Sequence, residues 1–527
     1  MTTHATRSFA DIRAALLAKA EVALVDVREE APFAEDHPLF AANIPLSKLE
    51  LEVLSRIPRK DTAITVYDNG EGLAPLAVQR LHGLGYSDVK LLEGGLQGWR
   101  EAGGELFIDV NVPSKAFGEL VEHHRHTPSL AAEEVLALIE SKADVVVLDA
   151  RRFDEYQTMS IPTGVSVPGA ELVLRARELA PDPKTRIIVN CAGRTRSIIG
   201  TQSLVNAGLP NPINALRNGT IGWLLAGQTL DYGQARRFGE VSEDTRQRAS
   251  ADSRLVANKA GVQRASHADL QRWQGEAART TYLFDVRTPE EFAKGHLPAA
   301  RSTPGGQLVQ ETDHYASVRG ARIVLVDDDG VRANMSASWL AQLGWEVFVV
   351  DGLQAPDFSE TGDWNAPIPT PPQVEEISAQ TLADWRSHGG VAVLDFTTSA
   401  NYVKQHIPGA WWTLRAQLKD ALNTIPKAER YVLTCGSSRL ARLAVAEVEA
   451  LTGKPVFLLK DGTPSWIKAG FEVESGESHL ASPRIDRYRR PYEGTDAPRE
   501  AMQAYLDWEF GLVEQLGRDG THGFNVI

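Results

Sequence analysis

The chain has 527 residues, with 55 Lys+Arg against 69 Asp+Glu and a formal charge of -14. That length predicts several domains rather than one, and the acidic balance argues against nucleic acid or an anionic membrane as the main partner. Two cysteines, Cys191 and Cys435, fit a reducing, cytoplasmic setting better than a disulfide framework. The opening stretch, interrupted by Arg13, Lys19 and Glu21, lacks the pattern of a signal peptide. No run approaches the roughly 18 apolar residues of a membrane span.

In chain order, the first predicted helix opens at Ser8, a residue suited to accept an orphan N–H at a helix N-cap. The apolar run ALVDVR follows and contains Asp26; a second, AITVYD, ends at Asp68; a third leads to Gly95. The series returns from Ser129 through Asp149, Cys191 and Gly219, from Ser266 through Asp285, Asp327 and Gly352, and from Ser378 through Asp395, Cys435 and Gly462. The steps from Ser to Asp are 18, 20, 19 and 17, and those from this Asp to the next marker are 42, 42, 42 and 40. The final steps to Gly are 27, 28, 25 and 27. Intervals that repeat so closely mark a fourfold internal repeat. Short β-runs alternating with helices predict an α/β fold with parallel sheets covered on both faces.

The predicted units span 5–108, 127–232, 262–362 and 374–476, with a tail at 477–527. Linkers are expected at NVPSKAFGELVEHHRHTP, EVSEDTRQRASADSR and APIPTPPQVEE. In the tail, Met502, Tyr505, Leu506, Leu512, Val513 and Leu516 are spaced like one face of a helix.

The joint pattern resembles the rhodanese (thiosulfate sulfurtransferase) family. The third unit carries its early part as FDVRTPEEFAKGHLPAA, the second its reactive part as NCAGRTRSIIG, and the first its closing part as LEGGLQGW. The resemblance covers roughly residues 5–475. It implies four tandem domains, each a five-stranded parallel sheet with helices on both faces and a loop that holds a cysteine persulfide, followed by a helical tail. It implies no cofactor and no metal. Units one and three carry Asp68 and Asp327 at the nucleophile position and are read as silent, because a carboxylate cannot take up sulfane sulfur.

Cys191 is the candidate nucleophile. It is expected at a strand end, before a helix starting near Arg196 or Ser197. Backbone N–H groups at such a helix start favour negative charge and would lower the thiol pKa below ~8.5. The loop Ala192, Gly193, Arg194, Thr195, Arg196 and Ser197 would bind the sulfur and its donor. Gly193 would let backbone approach the substrate, and Thr195 and Ser197 would donate hydroxyl hydrogen bonds. Arg194 is expected to reach the mouth and bind the donor's anionic end, Arg196 to shape the loop and favour the thiolate. Arg151 is read chiefly as a brace for Asp149, with a substrate contact as the alternative. Cys435, in CGSSRLAR, is a possible second site, weakened because Leu440 stands where a cation would help and because Asp395-Phe396-Thr397 breaks the Asp-x-Arg motif.

Trp99, Trp223 and Trp466 are expected core anchors, His123, His124 and His126 a solvated linker, and RIDRYRRPYEG a surface that packs the tail against the body. The expected donor is thiosulfate or a persulfide, and the acceptor cyanide, a thiol or a dithiol protein. A mercaptopyruvate donor and a sulfur-carrier or scaffold role stay open as alternatives. A phosphatase of this fold would need Cys-x5-Arg, whereas Arg196 gives Cys-x4-Arg.

Overall fold

The structure, a computed structural model, describes residues 4–494 and 496–527. Four five-stranded sheets lie within them, each ordered first, fifth, fourth, second, third strand of its unit. All the strand pairs are parallel. The central strands are the apolar runs: Ala23–Asp26, Val145–Asp149, Thr281–Asp285 and Val391–Asp395 lie beside Ile64–Tyr67, Arg186–Asn190, Arg322–Val326 and Arg430–Thr434. They are rich in Val, Ile and Leu because helices bury both faces of the sheet.

Register carries the functional information. Asp26 pairs with Tyr67, Asp149 with Asn190, Asp285 with Val326 and Asp395 with Thr434. The next residues are Asp68, Cys191, Asp327 and Cys435, so the sequence expectation of equivalent strand ends holds. The same register sets each Asp-x-Arg pair beside the loop that follows. Arg28, Arg151 and Arg287 each fold back onto their Asp, at 2.6, 2.7 and 2.7 Å.

Ser8, Ser266 and Ser378 cap their helices, accepting from the amide three residues on at 3.2, 3.1 and 3.1 Å. Ser129 does not. It lies in the edge strand Ser129–Leu130, and Ala131 stands at the N-cap, its own N–H held by Glu134 Oε2 at 2.7 Å. That offset of two residues explains why the second Ser-to-Asp step is 20. Trp99, Trp223 and Trp466 are buried as expected, and their indole N–H groups donate to the carbonyls of Glu105, Thr229 and Glu472 at 3.1, 2.9 and 2.8 Å.

Two expected linkers are structural helices. Val112–Arg125 presents Val112, Ala116, Phe117 and Val121 to the core and packs on the helix that follows Cys191. His123, His124 and His126 fall at its exposed end, and no group of metal-ligating side chains occurs among the described residues. Glu243–Lys259 packs between Leu172–Leu179 and Arg332–Gln342. Units one and three share one continuous core that runs from Val25 and Val66 through Phe117 to Ile323 and Trp339.

The tail ties the units together. Ala31 N donates to Ile485 O at 3.0 Å and Asn525 N to Gln342 O at 2.8 Å. The tail's single expected helical face is divided between two helices, Arg499–Phe510 and Leu512–Asp519, which join at Gly511. Met502, Tyr505 and Leu506 pack on Ile221 of unit two, whereas Leu512 and Leu516 pack on Val112 and Ala116. No helix among the described residues is long and apolar enough to cross a membrane.

The fourth unit lacks the arginine that would neutralise Asp395. Burial pushes this carboxyl up to about 7, and only the Thr397 amide supports its charge, at 2.8 Å. Its folded pKa therefore exceeds its unfolded value, and the stability it contributes fades as pH rises through about 7. Stability is lost between the unfolded value of ~3.9 and about 7, so Asp395→Asn should raise the unfolding midpoint more at pH 8 than at pH 5. Equal shifts at both pH values would contradict a protonated Asp395.

Candidate active site

Cys191 follows the strand Arg186–Asn190, and the helix Thr195–Asn206 begins four residues later. The loop is held from outside by a second turn. Gly219 there has φ 55°, and a Cβ on it would lie 2.4 Å from the Cys191 carbonyl oxygen, so only glycine fits. This close approach lets Thr220 N donate to Cys191 O at 2.9 Å and Ile221 N to Ala192 O at 3.0 Å.

The thiol is 1% exposed and donates to Ser197 Oγ at 3.4 Å; Ser197 Oγ donates onward to Arg194 O at 2.8 Å. Burial pushes the Cys191 thiol up, against the opposing pull of Arg196 and of the Ser197 hydroxyl and amide. The expected depressed pKa is thus corrected. The helix start and cation act in the expected direction, but desolvation of a thiolate sealed beneath the tail outweighs them.

The other units show what this loop is built to hold. Asp68 accepts from Gly70 N at 3.0 Å and Ala74 N at 2.8 Å, and Asp327 from Gly330 N at 3.1 Å and Ala333 N at 2.8 Å. Ala74, Ala333 and Ser197 all stand six residues after their strand-end residue. One cradle of helix-start amides recurs, occupied by a carboxyl group in units one and three and by sulfur in unit two. Cys435 sits differently: its side chain belongs to an apolar cluster with Phe396, Leu433 and Ala441, and no hydrogen bond reaches its sulfur among the described residues.

Arg194 departs from its expected role, whereas Arg196 exerts the expected pull on the thiolate and also reaches the cleft. Arg194 is 4% exposed and does not reach the mouth. Its Nε and Nη2 donate to Glu119 at 2.7 and 2.8 Å, Nη2 also pairs with Glu122, and Nη1 donates to Asn218 Oδ1 at 3.2 Å. It therefore braces the loop against the helix Val112–Arg125. Arg196 instead borders an open polar cleft of ≈ 350 Å³ while binding Glu155 through two hydrogen bonds of 2.7 and 2.8 Å. Although burial alone would raise it, Arg196 holds the Glu155 carboxyl down at about 2. Arg332 binds Glu291 in the same way in the third unit, so this ion pair is a fold element that unit two also turns toward the cleft.

Other expected contacts are corrected or confirmed by geometry. Gly193 makes room for the tail: a Cβ there would meet the Tyr505 ring at 3.2 Å and Glu509 Oε2 at 3.4 Å. Thr195 lies buried against Gly118, and its hydroxyl has no partner among the described residues, so it donates nothing to the sulfur. Arg151 borders the cleft but is 1% exposed and bound to Asp149 and Met159 O, which favours the bracing role.

Sequence reasoning missed Glu119, Glu155, Arg490, Tyr492, Tyr505 and Glu509. Glu155 had a signal, since Glu155 to Arg196 and Glu291 to Arg332 are both steps of 41. The tail residues had none, because nothing in their spacing points to unit two. RIDRYRRPYEG does pack the tail on the body, through Tyr488 N on Glu30 Oε1 at 2.9 Å, but Arg487, Arg489 and Arg490 also line the cleft.

Comparison with known proteins agrees with this geometry. A family model described as the rhodanese-like domain matches residues 10–102, 131–226, 266–352 and 378–469. The crystal structure of the thiosulfate sulfurtransferase from Pseudomonas aeruginosa is 74% identical, with a TM-score of 0.98, over 99% of this chain and 100% of that one. An uncharacterized protein of Synechocystis sp. is 37% identical over 92 residues, 18% of this chain. The chain spans 50% of the length of that curated relative.

The buried thiol makes a direct prediction. Half-maximal alkylation of Cys191 should require a pH above the ~8.5 of a free cysteine, and Arg196→Gln should move it higher still. A midpoint below that of free cysteine would show that the cradle outweighs burial.

Proposed function

The chain belongs to the rhodanese-like domain family, and from that premise we propose that it is a sulfurtransferase in which Cys191 carries sulfane sulfur from thiosulfate or a persulfide to a thiophilic acceptor. One observation carries the reading. The position whose carboxyl oxygens accept the helix-start amides in units one and three is held in unit two by a thiol, on which the equivalent Ser197 amide acts. A site shaped for an anion and fitted with a nucleophilic sulfur suits a persulfide anion.

The chemistry balances without a cofactor. Cys191 thiolate attacks the outer sulfur of thiosulfate; a new S–S bond forms, the old one breaks, and its electron pair leaves with sulfite. The persulfide anion that remains is held by the loop amides from Ala192 to Ser197. An acceptor such as cyanide, a thiol or a dithiol protein attacks the outer sulfur, and Cys191 leaves as thiolate. Two half-reactions through one covalent intermediate give ping-pong kinetics. Arg196 is the cation acting on the Cys191 thiolate and opposes the cost of its burial. Arg194 keeps the loop in shape, so its role is positioning. Once Cys191 bears sulfur, the negative charge sits on the added outer sulfur rather than on Cys191 Sγ.

Units one and three have filled cradles and serve as walls. Cys435 is assigned at most a minor share, given its apolar surroundings. Cys191→Ser should abolish thiosulfate-dependent thiocyanate formation, and Cys435→Ser should retain most of it. Activity that survives Cys191→Ser and disappears in Cys435→Ser would reverse the assignment.

A further inference from the structure

The tail contributes more than packing. Arg490 and Tyr492 stand on the wall of the cleft that Arg196 borders. Arg152 reaches the same cleft from unit two and Glu311 from unit three. Arg152, Arg490 and Arg196 all act on the Glu311 carboxyl through space, yet none forms an ion pair with it among the described residues. Its side chain accepts one hydrogen bond, from Gln307 Nε2 at 3.3 Å, and burial pushes it up. Arg490 is tied at one end to Glu493, while its Nε is buried without a partner. Three guanidinium groups, two from unit two and one from the tail, thus border a common space, Arg152 and Arg196 sharing Glu155 as their partner.

That space is ≈ 350 Å³. Organic ligands occupy pockets of roughly 300–1,000 Å³, and a small inorganic anion needs far less. We propose that this cleft is the acceptor site, that its ligand is a carboxylate-bearing organic thiol, and that Arg490 is a specificity-determining residue that binds the carboxylate together with Arg196. Guanidinium groups suit this task because their paired N–H donors match a carboxylate. The proposal rests on Cys191 as sulfur carrier and adds what receives the sulfur. In the step, the acceptor thiolate attacks the outer sulfur of the Cys191 persulfide anion. A sulfur–sulfur bond forms to the acceptor, the bond to Cys191 Sγ breaks, and its electron pair stays on Cys191. The product is the acceptor persulfide anion, with no net oxidation and no further reactant.

The test uses the full chain with thiosulfate as donor and two acceptors: glutathione, which bears carboxylates, and 2-mercaptoethanol, which bears none. The ratio of their kcat/KM values is the readout. Loss of one charge-assisted hydrogen bond corresponds to a change of about tenfold or more, so Arg490→Gln should lower the glutathione to 2-mercaptoethanol ratio by at least that much. Arg490→Lys, which keeps the charge but not the paired donors, should give a ratio between those of R490Q and the unsubstituted protein. An unchanged ratio in R490Q, or a ratio in R490K below that of R490Q, overturns the proposal. Failure of thiosulfate to add sulfur to Cys191 in the unsubstituted protein, read before any acceptor is added, overturns the sulfur-carrier reading instead.

Discussion

Backbone N–H groups at a helix start, set against the end of a central strand, are the interaction on which each loop depends. They favour negative charge at one point, and units one to three each place a polar group there. Asp68 and Asp327 satisfy the amides with carboxylate oxygens, at distances of 2.8 to 3.1 Å. In unit two a thiol takes the place, and the neighbouring amide of Ser197 acts on it. A thiol bonds weakly, so the loop needs other support. It receives this from the Gly219 turn, from Arg194 on Glu119, and from Arg196 on Glu155.

Part of the loop's surroundings comes from outside the reactive unit. Glu119 lies on the helix after unit one, and Tyr505 and Glu509 lie on the tail. Glu509 is buried, and burial together with Glu119 pushes its pKa up, so it rests neutral over Gly193 with Tyr505 Oη donating to it at 3.1 Å. A charged carboxylate there would further raise the Cys191 pKa. Unit three brings Glu311 to the cleft, and unit one carries the segment where the tail docks. Units one and three are therefore structural partners of the Cys191 loop.

The sequence reveals whatever repeats and hides whatever crosses between repeats. The strand ends at Asp68, Cys191, Asp327 and Cys435 are legible because the register that sets them is local and occurs four times. The tryptophan anchors and the Asp-x-Arg braces are legible for the same reason. Arg194 misleads because its position in the loop suggests solvent, and only the packed helix Val112–Arg125, which looks like a polar linker in sequence, shows where its charge is spent. The thiol pKa misleads because loop composition reports cations but not burial. Ser129 misleads because its unit begins its helix two residues later than a matching serine would suggest. The arginines of the tail are invisible as site residues, since their meeting with Arg196 spans almost three hundred residues of chain.

The account turns on one claim, that the cradle of unit two exists to hold a sulfur anion on Cys191. The most direct measurement is a crystal structure of the protein after exposure to thiosulfate. It should show one added sulfur on Cys191 Sγ, within hydrogen-bond reach of the loop amides and toward the cleft bordered by Arg196, with the Asp68 and Asp327 carboxylates in place. An unmodified Cys191 beside a sulfur adduct on Cys435, or an added sulfur that points away from the loop amides, would contradict it.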